Sequence, residues 1–244
     1  LHVAGRGREL SGFADLSSGL KLHIDGPVGR LPPDRQFCAP TGPAPDVLAP
    51  ASVETARLSV RRDVSSFWKH VETLVPEEAR ADLAEFRSAL ALFTGGLPVE
   101  DLCAGLGTAF DIHLGRLPGE GSQPRNRYPV IALVAQIKSD KLRGDLVPAF
   151  RKVIRAANHE ASKDGTPQMK LTTATHKSIE LNIARFRPEL LHEADDARAQ
   201  TQVTMAIVGD RLLLGNHRMI VGALIDAATE GQTRAREPGD VLRV

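Results

Sequence analysis

Long apolar runs, aromatic residues, cysteines and an excess of one charge are all scarce in this chain, and each shortage closes off a class of function. The longest apolar run, Pro129–Ala135, is strand-length, well short of the roughly 20 residues of a membrane-spanning helix. Thirty-one basic residues face 30 acidic ones, for a formal net charge of +1. The basic residues are dispersed, with Arg61-Arg62 and Arg234/Arg236 the nearest to clusters, so the concentrated basic face that nucleic acid requires is missing. Cys38 and Cys103 are the only thiols, too few for a disulfide framework. Cys38, in a proline-rich stretch, reads as a loop thiol, and Cys103, in the apolar turn Val99–Leu106, as a small core residue; a bond between them is the alternative. With aromatics at 4%, aliphatic side chains must fill the interior, and Trp68 and the phenylalanines are its larger pieces. No secretory signal is visible, and with Leu1 in place of an initiator Met the chain is expected to be a fragment of a longer product.

What is present is one supersecondary unit, used three times. An apolar strand, a short polar turn and an amphipathic helix recur at Thr55–Val60 into Ser65–Val75, at Val130–Ile137 into Ser139–Ala157, and at Arg211–Leu214 into Arg218–Ala228. Such recurrence at long spacing predicts a single layered architecture. Strand pairs are expected at Phe13–Leu16 with Leu20–Ile24, at Lys170–Thr175 with Ile179–Ala184 around His176-Lys177, and at Thr204–Val208 with Arg211–Leu214 around Gly209-Asp210. The fold class is therefore α+β, a mostly antiparallel sheet with amphipathic helices packed on one face. Prolines crowd Leu31–Pro50 and leave little room for regular structure there. This places a boundary between residues 1–50, a hairpin segment plus linker, and a main domain at 51–244. Within the main domain Asp63 or Ser65 is expected to cap one helix, Gly95-Gly96 to stop another, and Pro148 to kink or divide a third. In the strands, Ala56, Leu58 and Val60 share a face opposite Arg57 and Ser59, and Phe110, Ile112 and Leu114 share a face.

Reactive constellations are hard to find. The eight histidines, His2, His23, His70, His113, His159, His176, His192 and His217, form no H-x-x-x-H or H-E-x-x-H pair, the usual local signature of a metal site. The carboxylate pairs Glu77-Glu78 and Glu100-Asp101 sit at helix starts, where charge complements the dipole, and Asp195-Asp196 lies in a polar loop. Gly105-Leu-Gly107 follows a helix instead of opening one, so it reads as a helix stop and strand start, not a dinucleotide loop. Trp68 and Phe67 sit at helical spacing with Val71, so Trp68 reads as a core anchor, with a ligand-stacking pair as the alternative. No catalytic, cofactor-binding or metal-binding residue is assigned.

The segments Leu58–Val60 with Phe67-Trp68, the step Leu97-Pro-Val-Glu-Asp-Leu102, the strand–helix pair Ala132–Phe150 and the strand Val208–Gly215 together resemble a bacterial family of uncharacterised envelope proteins with repeated strand–helix units. The resemblance covers about Ala51 to Gly231. It implies an exported protein without assigned catalytic residues. The reading that follows is a non-enzymatic, extracytoplasmic binding or scaffolding domain whose partner is an unidentified protein or envelope ligand, with no cofactor and no nucleic acid. Two alternatives stand beside it. One is a hydrolase assembled only in the fold, with Asp111, His113, His176 and His217 as participants. The other is a carrier of lipid or another hydrophobic ligand. Convergent titratable groups would favour the hydrolase, a continuous apolar cavity the carrier, and a filled core the scaffold.

Overall fold

All three strand–turn–helix units are present. A computed structural model describes residues 3–5, 8–15, 21–25, 45–53, 55–74, 76–77, 80–116, 129–191, 197–234 and 241–243. The units are β5 (Thr55–Arg61) with α1 (Val64–Leu74), β7 (Val130–Ile137) with α4 (Asp140–Lys163), and β11 (Arg211–Gly215) with α6 (Arg218–Thr229). Between and after them lie α2 (Arg80–Phe93), α3 (Val99–Gly105), β6 (Leu106–Gly115), the hairpin β8 (Met169–His176) and β9 (Ile179–Phe186), α5 (Ala197–Gln200) and β10 (Gln202–Val208). A 3-10 turn at Pro188–Leu190 and the strands β1 (Val3–Gly5), β2 (Arg8–Asp15), β3 (Lys21–Asp25), β4 (Val47–Leu48), β12 (Thr233–Arg234) and β13 (Val241–Arg243) complete the described elements.

The sheet runs β5-β6-β7-β11-β10-β9-β8, every neighbour antiparallel, and continues beyond β5 through β13, β3, β2 and β1. This is an α+β architecture. β7 explains the layering, because it is apolar on both faces. Val130, Ala132 and Val134 pack with Ile220, Val221, Leu224 and Ile225 of α6. Ala135 and Ile137, on the other face, pack with Leu142, Leu146, Phe150 and Ile154 of α4. The helices, expected on one face, are thus divided between two. The correction follows from β7 itself, since a strand apolar at successive positions needs a cover on each side.

Local chemistry fixes the element ends. Asp63 caps α1, its Oδ1 accepting from the Ser66 N–H at 2.9 Å, and Ser139 Oγ accepts from the Leu142 N–H at the start of α4. α4 is not divided at Pro148 but runs through it. Gly95 ends α2 with φ of +64°, and a Cβ on it would lie 2.7 Å from Ala149 Cα, so the turn rests directly on the backbone of α4. At Gly105 and Gly107 it is the side chains of Leu142 and Gln136 that take the space a Cβ would need. Trp68 is buried, with its Nε1–H donating to Glu100 of α3 at 2.8 Å and Arg87 of α2 lying 5.2 Å from its ring centre. It anchors three helices to one another. The turn between β8 and β9 falls at Lys177-Ser178, one residue later than the sequence predicts, and both residues adopt positive φ.

Val47 and Leu48, at the end of the proline-rich segment, are each 1% exposed, and Leu48 belongs to the α6-side core. β4 pairs with β12 there. The hairpin β2–β3 joins the sheet through β13, at the pair Leu22 and Leu242. Ser17–Gly19, residues 31–44 including Cys38, residues 117–128 and Asp195-Asp196 lie outside the described residues, as do the side chains of Leu22 and Ile24. Cys103 is a free, half-buried thiol. No helix among the described residues is long and apolar enough to cross a membrane.

Candidate functional site

β5 and β6 invert the usual pattern of a half-buried strand. Their register sets Arg57 opposite His113 and Ser59 opposite Asp111. His113 in turn stands opposite Ala132, which is covered by the α6-side core. All four polar side chains are therefore inside, at 7% exposure for Arg57, 3% for Ser59, 2% for Asp111 and 1% for His113. The sequence pattern correctly groups Arg57 with Ser59 on one face, but it is the buried one. Neither ring nitrogen of His113 meets a hydrogen-bond partner among the described residues. Burial pushes its pKa down to about 4; the nearby Arg57 cation works in the same direction and Asp111 against it. His113 is thus a neutral imidazole near neutrality, carrying the desolvation cost of an unsatisfied polar group.

The other two histidines singled out in the sequence lie elsewhere. His217 caps the N-terminus of α6, its Nδ1 accepting from the Met219 N–H at 3.3 Å. Burial and Arg218 lower its pKa. His176, at the end of β8, reaches the far end of the same helix, where its Nε2–H donates to Asp226 Oδ1 at 2.7 Å. About two and a half helical turns separate residues 217 and 226. Asp111 and His113 share the buried face of β6, so the structure brings that pair together and leaves His176 and His217 apart from each other.

Around His176 the fold gathers residues that the sequence reading missed. Lys177 Nζ lies 3.0 Å from Asp226 Oδ1 and also bonds Glu230. Burial works to raise the Asp226 carboxyl, but hydrogen bonds from His176 and Lys177 outweigh it and hold the pKa below its ordinary value. Bonds to Glu230 and Asp226 raise the pKa of Lys177. A carboxylate orienting an imidazole is half of a nucleophile-activating relay. Here the same carboxylate is also held by Lys177, next to a turn whose residues have φ of +45° and +67°. The cluster ties that turn to the C-terminal end of α6. Among the described residues no three His, Cys, Asp or Glu side chains gather closely enough to hold a metal ion.

On the opposite face of β5, β6 and β7, apolar residues run on past the helical cover. Phe110, Ala135 and Leu212 form one cross-strand row and pack with α4. Beyond it come the rows Leu58–Ile112–Leu133–Leu214 and Ala56–Leu114–Ile131. Exposure climbs from 2% at Ala135 to 38% at Leu114 and 42% at Ile131, which face each other directly across the strands. The grouping of Phe110, Ile112 and Leu114 on one face was legible in the sequence; its exposure was not. A contiguous apolar patch on an open sheet face is a surface suited to docking.

No protein-family model, no curated protein and no solved structure matches the chain.

Proposed function

We propose that the chain is a non-enzymatic binding or scaffolding domain, and that the band around Leu114 and Ile131 receives an apolar face of a protein partner. The observation that carries this reading is the exposure of that directly paired couple, 38% and 42%, at the end of a continuous apolar surface. Two further features support it. The apolar side chains that a lipid carrier would turn toward a cavity pack against α4 and α6 in two clusters. The titratable residues on which a hydrolase would draw lie buried on β6 or at opposite ends of α6. An extracytoplasmic setting in the bacterial envelope belongs to the same proposal and draws on the resemblance of residues 51–231.

Photo-crosslinking tests it. A benzophenone side chain placed at Leu114 or at Ile131 in producing cells is expected to yield one discrete protein adduct, the same from both positions. The same group at Glu160, an exposed residue of α4, is expected to yield none. Absence of any adduct from both band positions contradicts the reading.

A further inference from the structure

Among the described residues β8 is the last strand of the sheet, and which of its backbone groups face outward follows from two independent observations. Asn158 of α4 accepts from the Met169 N–H at 2.8 Å and donates to the Met169 carbonyl at 2.7 Å. Both main-chain groups of Met169 therefore point away from β9, and by the alternation of an antiparallel ladder so do those of Leu171, Thr173 and Thr175. The two-residue turn at Lys177-Ser178 requires the same parity, because it makes His176 and Ile179 a hydrogen-bonded pair. The Asn158 amide imitates a neighbouring strand at Met169, and the free edge begins at the next outward residue.

Sheet edges in monomeric proteins are usually short, bulged, interrupted by proline or studded with charge. β8 has eight residues, Met-Lys-Leu-Thr-Thr-Ala-Thr-His, in unbroken register with β9. None of its three outward-facing residues is charged, and β-branched threonine suits pairing. The charges near the strand are arranged end to end. Lys170, Arg185 and Arg187 line a hollow of about 250 Å³ with Glu189 at one end, and Lys170 stands directly opposite Arg185 on the same face, a like-charge pair. At the other end the same face carries the carboxylates of Asp226 and Glu230 beside His176 and Lys177.

We infer that β8 pairs antiparallel with β8 of a second copy of this chain, about a two-fold axis at Thr173. In that register Thr173 meets Thr173, Leu171 of each copy meets Thr175 of the other, and every outward N–H and carbonyl of these residues gains a partner. Lys170 of each copy then stands opposite His176 of the other, which brings the basic end of one strand beside Asp226 and Glu230 at the acidic end of its neighbour. This self-complementarity selects a second copy over an unrelated peptide. The interface uses a different part of the sheet from the Leu114–Ile131 band and stands independently of the role proposed for that band.

Sedimentation of the full chain across a concentration series is the test, combined with residue-resolved hydrogen exchange. The wild-type chain is expected to dimerise, with the amides of Leu171, Thr173 and Thr175 protected at high concentration and released on dilution. Those of Thr172 and Ala174 should stay protected throughout. Thr173→Pro removes an outward N–H that no intrachain bond uses, a position where an edge strand tolerates proline, and is expected to weaken dimerisation at least about 10-fold. Lys170→Glu is expected to weaken it too, without the backbone change. A chain that stays monomeric to the highest concentration overturns the inference. So does a wild-type dimer in which the amides of Leu171, Thr173 and Thr175 exchange freely.

Discussion

At the scale of single residues, His113 is the most informative side chain. Its pKa in the folded protein, about 4, lies below the ordinary 6.5. The unfolded chain therefore binds the proton more tightly, and stability falls as pH drops through 6.5 toward 4. The gap corresponds to about 3 kcal/mol lost by pH 4. Urea unfolding of the wild type and His113→Leu at pH 7 and pH 4 is expected to show that extra loss in the wild type alone; an equal loss in both would mean that His113 is solvated or paired. Trp68 makes the second prediction at this scale. Trp68→Ala is expected to cost about 3–5 kcal/mol, the range for a large buried aromatic, because it also removes the contacts to Glu100 and Arg87. Equilibrium unfolding checks it, together with the blue-shifted and quencher-resistant fluorescence expected of a ring that is 7% exposed. A freely quenched Trp68 would make it a surface contact.

At the scale of elements, the tightest approach is between the turn after α2 and the backbone of α4. Gly95 and Gly96 both have positive φ, yet a Cβ on Gly96 would meet open space while one on Gly95 would strike Ala149. Gly96→Ala should thus cost only the left-handed conformation, about 1–2 kcal/mol. Gly95→Ala adds overpacking of about 1–3 kcal/mol. Thermal or urea unfolding of the two variants measures the difference, and equal losses would contradict the direct seating of turn on helix. Much of this level could be read in the sequence. Periodicity placed the three strand–helix units and the β10–β11 turn, and the cap at Asp63 and the stop at Gly95-Gly96 are local chemistry acting within a few residues. What periodicity could not give is which face of a strand is covered. Arg57, Ser59, Asp111 and His113 alternate with apolar neighbours as solvent-facing residues do, and only the pairing of β6 with Ala132 on β7, below α6, puts them inside. Likewise Asp226, the partner of His176 and Lys177, and Glu230, a second partner of Lys177, lie some fifty residues downstream, and no local spacing signals them.

At the scale of the whole molecule, the end of the proline-rich segment and the open sheet face make the remaining claims. Proteolysis is expected to cut first within residues 30–46. Removal of residues 1–50 should destabilise the remainder more than removal of residues 1–44 does, by about 3–6 kcal/mol, because Val47 and Leu48 leave the core with it. Equal stability of the two truncations would return Val47 and Leu48 to the linker. The central claim is that the Leu114–Ile131 band is free surface kept for a partner. The most direct test is the unfolding free energy of the double variant Leu114→Lys, Ile131→Lys. A docking surface predicts a change within about 1 kcal/mol, as for other exposed sites, together with loss of the cross-linked adduct when the benzophenone sits at the neighbouring Leu133. A loss of several kcal/mol would show that these side chains serve the chain's own core, and would contradict the account.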